Sequence, residues 1–182
     1  MCSFFPNYKF IWIVEDDAHL TFNPLHYECV VKNFSIPLSA PSRGEGAAIH
    51  PITKTKSEFI ETIGRYTDFV EIGPTVIGTS QAWLCIWKFI NIHAHTGYGL
   101  DGMWCRLISE RCMVSKYGCA ILDAFITHHE SERYVSGHEG IPEIPSYAKI
   151  YKKDYETGMR TFAPIAKDLR VYNDCLEATE KI

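Results

Sequence analysis

The residues from Tyr8 to Val14, YKFIWIV, are aromatic or β-branched at every position but Lys9, and they run without a spacer into Glu15-Asp16-Asp17. A run of this length and composition reads as a buried central strand. Its acidic end then needs an explanation. Like charges a few ångströms apart raise one another's pKa unless something cationic compensates them, and a divalent metal is the usual compensator. Carboxylate oxygens suit Mg2+ or Mn2+, which keep several waters and bind through one or two carboxylates plus substrate phosphates, so a phosphorylated substrate is expected. Side chains alternate along an extended chain. Glu15 and Asp17 therefore point one way and Asp16 the other, making E-x-D the ligand pair. An isolated acidic triplet is also an ordinary solvated turn, so the pattern needs support from elsewhere in the chain.

Support comes from a second apolar run, CAILDAFITHH (Cys119 to His129), which reads as another buried strand ending in ligand-capable residues. An imidazole there, from His128 or His129, can complete an Mn2+ site beside the carboxylates. Asp101 follows the glycine-flexed segment Gly97-Tyr98-Gly99 at a helix start. Its carboxylate is stabilised there by the helix dipole and can face a cleft, although N-capping is the plain alternative. Trp83, Trp87 and Trp104 are large enough to stack on sugar rings, but Trp83 and Trp87 stand at core spacing, and packing is the expected role of Trp87.

The rest of the chain reads as elements of an α/β fold. LHYECVVK (25–32) is expected to be a short helix started by Pro24, and 35–46, with Pro37, Pro41, Gly44 and Gly46, a loop. TDFVEIGPTVI (67–77) reads as a strand bending at Gly73-Pro74 into a second extended piece. Residues 81–93 read as a helix capped by Thr79-Ser80, 100–110 as another, and 164–180 as a weak terminal one. At 46% hydrophobic and 22% charged, 182 residues support one sizeable core. The net charge of −4 provides no basic footprint for nucleic acid. No apolar run is long enough to span a bilayer, and the opening residues lack the pattern of a signal peptide. Among seven cysteines no C-x-x-C pair occurs, which argues against structural zinc. Cys105 and Cys112 are placed to pair in an oxidising lumen, with buried free thiols as the alternative. A buried strand that begins as early as Tyr8 expects neighbours upstream, so the chain is expected to be only part of its domain.

The succession IWIVEDD, Phe69-Val70-Glu71-Ile72, SQAWLCIWKFIN, GYGLD and ILDAFITHH, in that order from Tyr8 to His129, resembles the domain-of-unknown-function 707 family, which is treated as glycosyltransferase-like. The resemblance implies a GT-A-type, Rossmann-related mixed sheet flanked by helices. Residues 1–135 would form the partial GT-A-like domain, with its N-terminal nucleotide-binding strands largely missing, and 136–182 a C-terminal extension. Glu15-Asp16-Asp17 would be the D-x-D motif, with Glu15 standing where the family usually has Asp. His128 falls where such enzymes place a C-terminal metal-binding histidine, and His129 stands where the usual pattern has another residue. Asp101 falls where many place an acidic residue facing the acceptor. The site implied is Glu15, Asp17 and His128 on Mn2+ or Mg2+, with Asp16 and Trp83 as cofactor-binding residues and Asp101 as the catalytic base. Trp83 or Trp104 would line the acceptor cleft. The partners implied are a nucleotide-sugar donor and a glycan or other hydroxyl acceptor, with no nucleic acid. Membrane attachment would come only through a segment outside this chain, in a Golgi or other secretory-pathway lumen. A non-catalytic module or pseudoenzyme of the same fold, and a metal-dependent phosphoester hydrolase, are the alternatives.

Overall fold

The structure, a computed structural model, describes residues 7–44, 50–56, 62–90, 99–129, 161–166 and 168–180. The elements in chain order are β1 (Phe10–Val14), β2 (Ala18–Leu20), α1 (Pro24–Asn33), β3 (Leu38–Arg43), β4 (Thr62–Thr67), β5 (Thr75–Thr79) and α2 (Ser80–Trp87). There follow α3 (Trp104–Arg106), which runs into a π-helical turn (Leu107–Arg111), then β6 (Cys119–His129), β7 (Thr161–Ala166) and α4 (Leu169–Glu180). They build a seven-stranded mixed sheet in the order β1-β5-β3-β6-β4-β7, with β2 paired to β6 off that path. Only β3 and β6 run parallel; the other pairings are antiparallel.

Alternation along the strands feeds two apolar clusters. Ile121 and Val76 pack with Trp83, Ile86, Trp104 and Leu107 from α2 and the 104–108 region. Ala120, Leu122 and Ile77 pack with Tyr27, Val30, Val31 and Cys175 from α1 and α4. Because neighbouring residues of β6 and β5 enter different clusters, both faces of the sheet are covered by helices, which is why β6 reads as an almost continuous apolar run. The helices start where local chemistry dictates. Asn23 accepts a hydrogen bond from the Leu25 N–H at 2.9 Å with Pro24 following, and Thr79 accepts from the Ala82 N–H at 3.1 Å.

Several expectations from the sequence need correction. β1 is not a central strand: it pairs with β5 alone among the described strands, and Ile13 and Val14 are 41% and 43% exposed. The central place is taken by β3, whose sequence LSAPSR reads as loop yet is buried throughout. Pro41, which has no N–H to give a ladder, is accommodated because the β3–β6 register shifts between Pro41 and Ser42. Of the stretch 67–77, Thr67 ends β4 and 75–77 open β5, the expected second extended piece, whereas 68–74 between them is a connection rather than a strand. α2 ends at Trp87, short of the expected 93: 88–90 leave the helix in a turn, and 91–93 lie outside the described residues. Asp101 lies in a turn before α3 rather than within a first helical turn. The 135/136 boundary falls outside the described residues. Beyond it, β7 pairs with β4 in the same sheet and α4 packs on α1.

Three disulfides join these elements: Cys29–Cys175 ties α1 to α4, Cys85–Cys112 ties α2 to the segment after the π-helical turn, and Cys105–Cys119 ties α3 to β6. The expected Cys105–Cys112 pair does not form, because each sulfur has a different partner; Cys2 lies outside the described residues. Arg65, fully buried on β4, forms an ion pair with Asp123 of β6 and donates to the carbonyls of Ile52 and Lys54 at 2.6 and 2.9 Å. It thereby anchors the 50–56 segment to the sheet. Among the described residues, no helix is long and apolar enough to cross a membrane.

Candidate metal centre

The acidic triplet does not reach the second strand by lying next to it in the sheet. At the end of β1 the Glu15 N–H donates to the Pro74 carbonyl at 2.8 Å, and the Ala18 N–H donates back to the Glu15 carbonyl at 3.1 Å. The chain so reversed becomes β2, which pairs with the end of β6, Ala18 opposite His129 and His19 opposite His128. A tight turn therefore carries the carboxylates to the imidazole. Nε2 of His129 lies 3.0 Å from Glu15 Oε2 and 3.0 Å from Asp17 Oδ1. One ligand atom from each of the three residues falls within 4.8 Å of the others, and this is the single such group among the described residues. No known protein family matches the chain, and no curated protein or solved structure matches it either.

The ligand expected at position 128 is thus His129. Consecutive strand residues face opposite sides, and the His128 ring packs over Gly44, where a Cβ would lie 2.5 Å from its Cε1. It stands apart from the carboxylates. Asp16 is exposed at the tip of the turn and outside the group, the outcome expected from alternation, although a turn and not an extended chain sets it. Glu15 is held by shape as well as charge, because its carboxylate fills the space that a side chain at Gly73 would take.

The donor set fits a divalent cation. Bonds of about 2.1 Å meeting at right angles separate adjacent ligand atoms by roughly 3 Å, close to the spacing found here. Two carboxylate oxygens and one imidazole nitrogen match Mn2+ better than Mg2+, which prefers oxygen alone. All three side chains retain some exposure, which leaves coordination positions accessible to water or a substrate oxygen.

Around this group lies a second acidic layer, of which the sequence singled out Asp101 but not Glu71. Glu71, in the β4–β5 connection, accepts a hydrogen bond at 3.0 Å from Nη1 of Arg43, whose side chain is only 9% exposed. Burial pushes the Glu71 carboxyl up, Arg43 and His50 pull it down, and the negative charge of Glu15 pushes it up again. The one available signal was a glutamate inside the apolar run FVEI, a place where a charge needs a partner. Asp101 is next in line. Burial raises its carboxyl from the usual 3.8 to about 6, Glu71 adds to the rise, and backbone N–H groups of Gly102, Ile72 and Asp101 itself hold it back. Glu15, Glu71 and Asp101 thus form a connected electrostatic series.

The tryptophans exchange roles relative to expectation. Trp83 is 7% exposed, and its indole N–H donates to the Ile11 carbonyl at 3.0 Å; Trp104 is wholly buried, edge-on to Trp83. Neither offers a face to a sugar or a cofactor. Trp87, expected in the core, is 57% exposed because α2 turns its Trp83–Ile86 side to the sheet.

Proposed function

We propose that the chain carries the cation site and proton acceptor of a metal-dependent glycosyl transfer from a nucleotide-sugar donor to a hydroxyl acceptor, on a GT-A-like sheet. The observation that carries this reading is the placement of His129 Nε2 against Glu15 and Asp17, three ligands of one cation on a turn and a strand end. Glu15, Asp17 and His129 would hold the ion, with Mn2+ favoured by the imidazole. A bound cation at this place supplies positive charge to a donor diphosphate as its sugar–phosphate bond breaks. Asp101 is the residue suited to take the acceptor's hydroxyl proton. A carboxyl near 6 is mostly ionised at neutral pH yet basic enough to accept a proton, which an ordinary aspartate is less able to do. Arg43 and Glu71 keep that region structured without leaving an uncompensated charge.

A phosphoester hydrolase working through two metals needs two ions about 4 Å apart. The single three-residue group among the described residues favours the one-cation reading. The deciding experiment titrates Mn2+ into wild type and Asp17→Ala in the presence of a nucleoside diphosphate. Asp17→Ala is expected to bind at least tenfold more weakly, and equal affinities would remove the centre and the reading with it.

A further inference from the structure

Two polar atoms next to the metal centre have no hydrogen-bond partner although they are shut off from solvent: Thr75 Oγ1 and Thr127 Oγ1, on residues 2% and 1% exposed. A buried hydroxyl without a partner forfeits the hydrogen bonds it would make to water, so two of them facing one cavity call for a ligand. Both residues line the same small cavity, together with Arg43, Glu71, Thr53 and Gly73, and its volume of about 10 Å3 is room for one water.

The position of this cavity ties it to the centre. Thr127 lies on β6 two residues before His129, on the same strand face, and opposite Arg43 in the β3–β6 register. Thr75 follows Gly73-Pro74, the segment whose Gly73 supports the Glu15 carboxylate and whose Pro74 carbonyl receives the Glu15 N–H. The wall is closed by the Arg43–Glu71 ion pair, whose opposite charges leave no net charge to attract an ion. A neutral molecule with two donors and two acceptors is what the lining matches.

We propose that one internal water is bound by the Thr75 and Thr127 hydroxyls and bridges them to the Arg43–Glu71 pair, making the two threonines positioning residues for the segments that hold Glu15 and His129. The water site stands on the two hydroxyls and the cavity; its effect on the cation rests on the function proposed above. Removing the hydroxyls without changing shape separates the two. Thr75→Val/Thr127→Val, apolar and nearly isosteric at strand positions, is expected to lower the melting midpoint of the metal-free protein by about 4 °C, as for the loss of one to two hydrogen bonds in a domain of this size. Its Mn2+ affinity is expected to fall about tenfold, because the strand end carrying His129 and the segment supporting Glu15 lose the water that joins them, while Thr75→Ser/Thr127→Ser keeps the wild-type affinity.

A midpoint that stays the same or rises in the valine variant would mean that the hydroxyls were unpaired, and the water proposal is overturned. A lowered midpoint with unchanged Mn2+ affinity keeps the water and overturns the positioning role of the two threonines. A wild type that binds no Mn2+ removes the cation reading and the positioning role together, while the metal-free midpoints still decide the water. If the valine variant does not fold, electron density between the two hydroxyls in a wild-type crystal decides the same point, and its absence overturns the water.

Discussion

Gly73 shows how a single missing side chain shapes the centre. A methyl group there meets the end of the Glu15 side chain rather than backbone, so the fold can absorb it by swinging the carboxylate away. Gly73→Ala is therefore expected to change the melting midpoint by less than about 2 °C while weakening Mn2+ binding at least tenfold. Calorimetric titration beside a thermal melt checks both. Asp101 tests the electrostatics from the other side. Its folded-state carboxyl, near 6, lies above the unfolded 3.8, so between these values the native state holds more protons than the unfolded one. The contribution of Asp101 to stability is then largest below about pH 4 and is lost as the pH rises to about 6, on the order of 3 kcal/mol. Asp101→Asn cannot ionise. It is expected to raise the midpoint by roughly 6 to 12 °C at about pH 7.5 and to give no gain near pH 4. Transfer activity should fall while Mn2+ affinity stays, and equal loss of both would sink the assignment of Asp101 as base.

The element that decides the centre is the end of β6. Its two histidines are adjacent in sequence and opposite in space, so their alanine variants should separate cleanly. His129→Ala is expected to abolish measurable Mn2+ binding, whereas His128→Ala should remain within about twofold of wild type, since it loses only packing over Gly44. The reverse result would mean that β6 is out of register by one residue. At this scale the sequence was partly legible. β6 announced its full span because it is buried on both faces, and α1 and α2 announced their starts through Pro24 and Thr79-Ser80. β3 did not, because Pro41 and the serines of LSAPSR carry the local signature of a loop, and only pairing on both sides with β5 and β6 overrides it. β1 misled in the opposite direction: its aromatic run promised a central position, but composition reports how well a strand packs against neighbours and not where in the sheet it stands.

For the molecule as a whole, covalent links connect parts that are distant in sequence. Cys29–Cys175 closes a separation of 146 residues and fastens α4 to α1. Replacing both cysteines by alanine is expected to cost about 2 to 4 kcal/mol, read as a fall in the denaturation midpoint, mainly because the unfolded chain regains its freedom. Reduction of all three bridges should cost more and should make the protein sensitive to a reducing compartment. An unchanged midpoint under reductant would show that the bridges add nothing to the fold.

The sequence alone determined that the chain is α/β and that an acidic cluster ends one strand and histidines another. These are consequences of local periodicity and composition, which a linear reading can measure. Tertiary structure decided that His129 and not His128 meets the carboxylates, that a turn through β2 makes the meeting, and that Arg43, Glu71, Thr75 and Thr127 stand behind it. Those facts depend on register and on contacts between residues far apart in the chain, where a shift of one position turns a side chain to the other face and no nearby residue records the choice.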